Sequence, residues 1–229
     1  MIAGVDGCSR GWVAVLCDDD LGRPEARFLE KLADLPRTLR VVAVDVPMGL
    51  PEAGDREADR LARLALGEPR RRSVFPCPPR CVLGASGWEE ACASSERIDG
   101  RRLSKQTFAI LPKIAEVDAL LRSEEWARRS LYEVHPELSF ARWSGVPMRY
   151  GKKSPAGRKE RHRLIVDLFG SAAFAAAREA LCGFGVAPDD LADAFAAVWS
   201  ARRILTGRAE RFPQRRVVDG EGLVMQIRA

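Results

Sequence analysis

The sequence is poor in the features that would mark a zinc, membrane or secreted protein. It has two histidines, His135 and His162, and six cysteines at 8, 17, 77, 81, 92 and 182. The cysteines form no C-x-x-C pair and have no zinc-like spacing with the histidines, which excludes a zinc finger or ribbon. No apolar run approaches the roughly 18 residues that span a bilayer, so no membrane partner is expected. Met1 runs straight into an apolar stretch with no basic leader, so no secretory signal is expected either. Together these absences lead to the expectation of a cytoplasmic protein with reduced thiols. Lysine is also scarce, at 6 residues against 31 arginines. A GC-rich coding bias explains that ratio as readily as a phosphate-binding purpose does.

What is present is an ordinary globular mixture. The 229 residues are 46% hydrophobic and 30% charged, with 37 Lys+Arg against 32 Asp+Glu for a net charge of +5. A chain of this length buries a substantial core without disulfides or metal, and the mixture excludes a disordered or collagen-like chain. Length favours one domain, here 1–229, carrying an insertion at about 52–130.

Hydrophobic patterning lays out the elements. Apolar runs at Ile2–Val5 and Trp12–Leu16 flank a turn bracketed by Gly7 and Gly11, and Ala26–Glu30 reads as a third strand. Leu32, Leu35 and Leu39 suggest a short helix. Val41–Val46 is the clearest buried strand, ended by Pro47 and Gly49. Helices are expected over Asp55–Leu66, Lys113–Leu121, about 163–182, and from Pro188 to just before Gly207. The stretch Pro69–Arg102 reads as loop, Ser130–Val134 as a strand, and Leu223–Ile227 as a closing strand. This order opens like a three-layer α/β domain.

Acids stand at the ends of these strands. Asp6, Asp45 and Glu133 each interrupt or end an apolar run, where an open α/β sheet binds its ligands. Asp190 and Asp193 are three residues apart, within about 60° of each other around the last helix. That helix also carries small Ala194, Ala197 and Ala201, which would let it approach a sheet closely. Two carboxylates about 5 Å apart repel by roughly 1–3 kcal/mol, so convergent acids need raised pKa values or a hard divalent cation such as Mg²⁺ or Mn²⁺. Two such ions could clamp the attacking and leaving oxygens of a phosphodiester. Singly, Asp190 also suits any helix N-terminus and Asp6 any turn before glycine.

These residues sit in motifs that resemble a known family. Gly4-Val5-Asp6-Gly7-Cys8-x-x-Gly11-Trp12, Asp45-Val46-Pro47-x-Gly49-Leu50-Pro51 and Ser73-Val74-Phe75-Pro76 are similar to segments of domain-of-unknown-function family 429. So are Pro112-Lys113-Ile114-x-Glu116-Val117-Asp118, Glu133-Val134-His135-Pro136-Glu137, Lys152-Lys153 with Gly157 and Arg161, and Asp190-x-x-Asp193-Ala194. The family is described as predicted nucleases, so the resemblance implies an RNase H-like three-layer fold with a mixed five-stranded central sheet. By likeness to the RuvC-like members of that superfamily, it implies catalytic Asp6, Asp45, Asp190 and Asp193, the same four holding Mg²⁺ or Mn²⁺. Glu133 belongs to the family's own motif and joins the catalytic set without a sure RuvC-like counterpart. His135 is then a strand-end residue rather than the base.

Positive charge is concentrated in two places. Residues 149–163 carry seven Lys/Arg and one acid, and Arg70, Arg71, Arg72 and Arg80 form a second stretch. Lys113, Lys152, Lys153, Arg158 and Arg161 are the expected nucleic-acid contacts, since phosphates are bound through such groups. A solvated surface face explains either stretch equally well. Trp12 and Trp199 read as core, and no stacking platform is visible. The first expectation is therefore a metal-dependent phosphodiester hydrolase acting on nucleic acid. A catalytically silent nucleic-acid-binding protein of the same fold, or an actin-like ATPase or phosphotransferase, are the alternatives.

Overall fold

The computed structural model describes residues 1–229. Its opening follows from the two apolar runs. Strand β1 (Ile2–Cys8) pairs antiparallel with β2 (Gly11–Cys17), which pairs antiparallel with β3 (Glu25–Leu29). Strand β4 (Val41–Val44) then lies parallel to β1, and β5 (Leu131–Val134) parallel to β4. Two further strands close the chain, β6 (Arg211–Phe212) and β7 (Ile227–Arg228), giving the order β3-β2-β1-β4-β5-β7-β6. The sheet therefore has seven strands, not the expected five. The last two are two residues each: β7 overlaps the expected closing stretch Leu223–Ile227, and β6 is too short to leave any alternation in sequence.

Eight helices cover the sheet. They are α1 (Glu57–Leu66), α2 (Trp88–Asp99), α3 (Lys105–Ser123), α4 (Glu125–Ser130), α5 (Pro136–Ser144), α6 (Pro155–Phe169), α7 (Ser171–Ala180) and α8 (Pro188–Leu205). Several differ from the expected bounds. The stretch read as loop contains α2, whose polar sequence masks a single buried seam of Ala91, Cys92 and Ser95. Helix α3 begins eight residues before Lys113 and continues through Pro112. The expected helix near 163–182 is two helices, divided at Gly170, whose φ of +85° only glycine adopts readily. Leu32–Asp34 makes only a 3-10 turn, and the closing strand narrows to Ile227–Arg228.

Period-2 alternation splits the apolar side chains between two cores. Ala3, Val5, Ala14, Leu16, Val42, Val44 and Leu131 face Ile114, Val117 and Leu121 of α3. Ile2, Val13, Val15, Val41, Ala43 and Val134 face Ala194, Phe195, Ala197 and Val198 of α8. Trp12 is fully buried, while Trp199 is half-buried and stacks on Trp143. The approach of α8 to β1 is as close as its alanines suggest. A Cβ added to Gly4 would lie 2.0 Å from the backbone nitrogen of Val198 and 2.4 Å from the carbonyl oxygen of Ala194. Only glycine fits there, and that contact fixes the height of α8 over the sheet.

Candidate metal centre

The same alternation decides which acids meet. On β1, Ile2 and Gly4 face α8, so Asp6 does too. On β4, Val41 and Ala43 face α8, and Asp45 continues that parity because its N–H still bonds Val5 O at 2.9 Å. Asp193, one turn from the start of α8, reaches down between them. Carboxylate oxygens of Asp6, Asp45 and Asp193 all lie within 4.8 Å of one another. Asp6 and Asp193 are buried and Asp45 is half-buried.

These acids have few partners. Asp6 Oδ1 accepts from its neighbour Gly7 N at 2.8 Å, and Asp193 Oδ2 accepts from Lys152 Nζ at 2.5 Å. Burial, reinforced by Asp45 and Asp193, holds the Asp6 carboxyl well above its ordinary range against the pull of Lys152. Burial also pushes Asp45 up to about 6, with Asp193 and Glu133 adding to it and His135 and Lys152 opposing. Asp193 is raised by burial too, despite its lysine. Burial would lower the Lys152 ammonium, but the surrounding acids outweigh it and hold it above its ordinary value. Fully ionised, three carboxylates against one ammonium would leave an excess of negative charge. A buried all-oxygen trio of this kind fits a hard divalent cation.

Two of the expected acids lie outside the trio. Glu133 pairs across the sheet with Val44, one residue before Asp45, so it points to the opposite face. There Arg56 donates to both of its oxygens, at 2.8 and 2.6 Å, and Met48 N donates at 2.7 Å. Arg56 also bonds Asp59 and the carbonyls of Met48 and Gly49, which pins the loop after Asp45. Asp190, half-buried, turns back to accept from Ala187 N at 3.2 Å. Burial pushes it up to about 6, opposed by that backbone bond.

The basic residues divide as well. Arg161 is buried and bonds both oxygens of Glu137 at 2.8 and 2.7 Å, so its charge is already matched. Lys113 lays its stem across Gly7 and places Nζ over the Trp12 ring, 4.3 Å from the centroid, donating to Gly11 O. Its motif partner Glu116 accepts from Trp12 Nε1 at 3.0 Å and from Leu32 N at 2.6 Å, locking the first hairpin onto α3. Lys153 and Arg158 are exposed, and Lys152 enters the acid trio. His135 Nε2 lies 3.2 Å from Ser73 O, tying the segment before Phe75 to the end of β5.

Sequence reading missed Arg56 as the partner of Glu133 and Lys152 as the partner of Asp193. The first had a signal, since an acid at a buried strand end requires a cation. The second had none, because Lys152 sits in a run of like charges. Sequence reading also treated the two basic stretches separately, yet they adjoin. Arg70 lies against Gly151, with its Nε 3.9 Å from Glu137.

The chain belongs to the family described as protein of unknown function (DUF429), whose model it matches over residues 4–217. No curated protein and no solved structure matches it. No helix is long and apolar enough to cross a membrane.

Proposed function

We propose that this member of the family is a metal-dependent phosphodiester hydrolase acting on nucleic acid. The observation that carries the reading is the convergence of Asp6, Asp45 and Asp193, from positions far apart in sequence, on one buried point. The first strand, the fourth strand and the last helix supply them, which is the placement the RNase H-like resemblance implies. Asp6, Asp45 and Asp193 would hold the cation, with Asp190 at the rim, and Mg²⁺ or Mn²⁺ bound there would supply activation of water and stabilisation of the leaving oxygen.

The chain's own groups set what else happens at the site. His135 has its Nε2 against the Ser73 carbonyl, which ties that ring to the segment before Phe75. Exposed Lys153 and Arg158, with Arg70 on the neighbouring loop, would meet substrate phosphates without reading bases.

Calorimetry of Mg²⁺ and Mn²⁺ against wild type, Asp6→Asn and Asp45→Asn tests the reading. Binding by wild type and its loss in both variants, followed by metal-dependent cleavage of single- or double-stranded substrates, is the expected result. Cleavage that survives in Asp45→Asn at full rate would exclude the assignment. Nucleic-acid affinity that persists in EDTA, with no cleavage of any substrate, would favour the silent binding protein.

A further inference from the structure

We propose that Lys152 is the built-in counter-ion of the acid trio and that a divalent cation binds by displacing its ammonium, an inference that presupposes the metal reading above. Lys152 Nζ donates to Asp193 Oδ2 at 2.5 Å. Its side chain is 40% exposed while that of Asp193 is 3% exposed. The charged end therefore reaches inward from a solvent-facing loop, and an outward path stays open to it. No other lysine or arginine forms an ion pair with Asp6, Asp45 or Asp193, so this ammonium is the one fixed positive charge bonded to the trio.

The loop that delivers Lys152 holds one shape. Ser154 Oγ donates to Gly151 O at 2.8 Å and accepts from Gly157 N at 3.0 Å. Arg161 Nη1 donates to Tyr150 O and Gly157 O, and Glu160 accepts from Arg149 N and Tyr150 N. A Cβ on Gly157 would lie 2.0 Å from Gly151 O, so the loop and α6 touch backbone to backbone. With the backbone fixed on both sides, the freedom left to Lys152 is that of its own side chain.

The ammonium and a divalent cation compete for the same carboxylate. Like charges a few Å apart repel strongly where solvent is scarce, so the lysine must leave when the cation arrives. A lysine that served only to orient Asp193 would behave in the opposite way, and its removal would weaken binding.

Mg²⁺ and Mn²⁺ are titrated by calorimetry into wild type, Lys152→Gln and Lys159→Gln, the last an exposed charge on α6. Lys152→Gln is expected to bind at least about tenfold more tightly than wild type, and Lys159→Gln within about twofold of it. Equal or weaker binding by Lys152→Gln, with wild type still binding, overturns the counter-ion role and leaves the metal reading standing. No binding by either protein overturns both. A second measurement needs no variant. Amine acetylation of wild type, followed by mass spectrometry, is expected to modify Lys152 faster when Mn²⁺ is present, with exposed Lys153 unchanged. A rate at Lys152 that falls or stays constant on adding Mn²⁺ overturns the displacement.

Discussion

Two sets of buried carboxylates lie back to back across the central sheet. On one face, Glu133 and Asp59 are gripped by Arg56, whose side chain is 1% exposed, with Met48 N and Cys77 N adding further donors. On the other face, Asp6, Asp45 and Asp193 share one partly exposed lysine, and Asp45 has no side-chain hydrogen bond. Strands β4 and β5 hold the two sets apart by a single residue of register, Val44 opposite Glu133. The satisfied set fixes the loop at 46–51, and the unsatisfied set is where a cation would be gained. Completeness of partners, rather than burial, separates the acids that hold the fold from those offered to a ligand.

The comparison breaks most visibly if Arg56 is removed. Arg56→Met leaves Glu133 and Asp59 buried without their cation, and is expected to cost about 3–5 kcal/mol in urea unfolding. A cost below about 1 kcal/mol would show that Glu133 is not held as described. Gly4→Ala strikes the seam between the faces. Its new Cβ meets the backbone of α8, so a loss of about 3 kcal/mol is expected. Because α8 carries Asp193 while β1 carries Asp6, the same substitution is expected to weaken Mn²⁺ binding. Unchanged affinity would mean that the spacing of β1 and α8 does not set the site.

Asp45→Asn is expected to leave the fold intact and to stabilise it in a defined pH window. The folded-state pKa of Asp45, pushed up to about 6, lies above its ordinary value, so the native state holds its proton longer than the unfolded chain does. Its contribution to stability is complete below about pH 4 and is lost as pH rises through about 6. The asparagine variant has no such loss. In metal-free buffer it is expected to match wild type near pH 4 and exceed it by about 2–3 kcal/mol above pH 7. Added Mg²⁺ is expected to raise the Tm of wild type alone. Equal pH profiles for the two proteins would remove the strain ascribed to the trio.

How much of this was legible in sequence follows from the same physics. Strands β1, β2 and β4 and helix α8 announce themselves, because buried elements must be apolar and Asp6, Asp45 and Asp193 interrupt or flank those runs. The parity that sends Glu133 to the other face was also present, in its pairing with Val44, but needed the register to be used. Strand β6 was not legible, since two residues carry no period and their pairing comes from the folded surface, and of the closing stretch Leu223–Ile227 only its last residue lies in β7. Helix α2 was hidden by its Glu, Ser and Arg residues. Lys152 was hidden in plain charge, because whether a cation is solvated or enclosed depends on how its loop is folded against α6.

The smallest expected effect tests the rule from its exposed end. Arg129 Nη1 lies 2.6 Å from Glu125 Oε1, the same distance as Arg56 Nη2 from Glu133 Oε1. Distance alone would rank the two pairs equal. Arg129 and Glu125 are both largely exposed, however, so water solvates each nearly as well when the pair is broken. Arg129→Gln is therefore expected to change stability by no more than about 0.5 kcal/mol, and less in 0.5 M salt than in dilute buffer. A loss approaching that of Arg56→Met would mean that contact geometry, and not the absence of water, governs what an ion pair contributes in this protein.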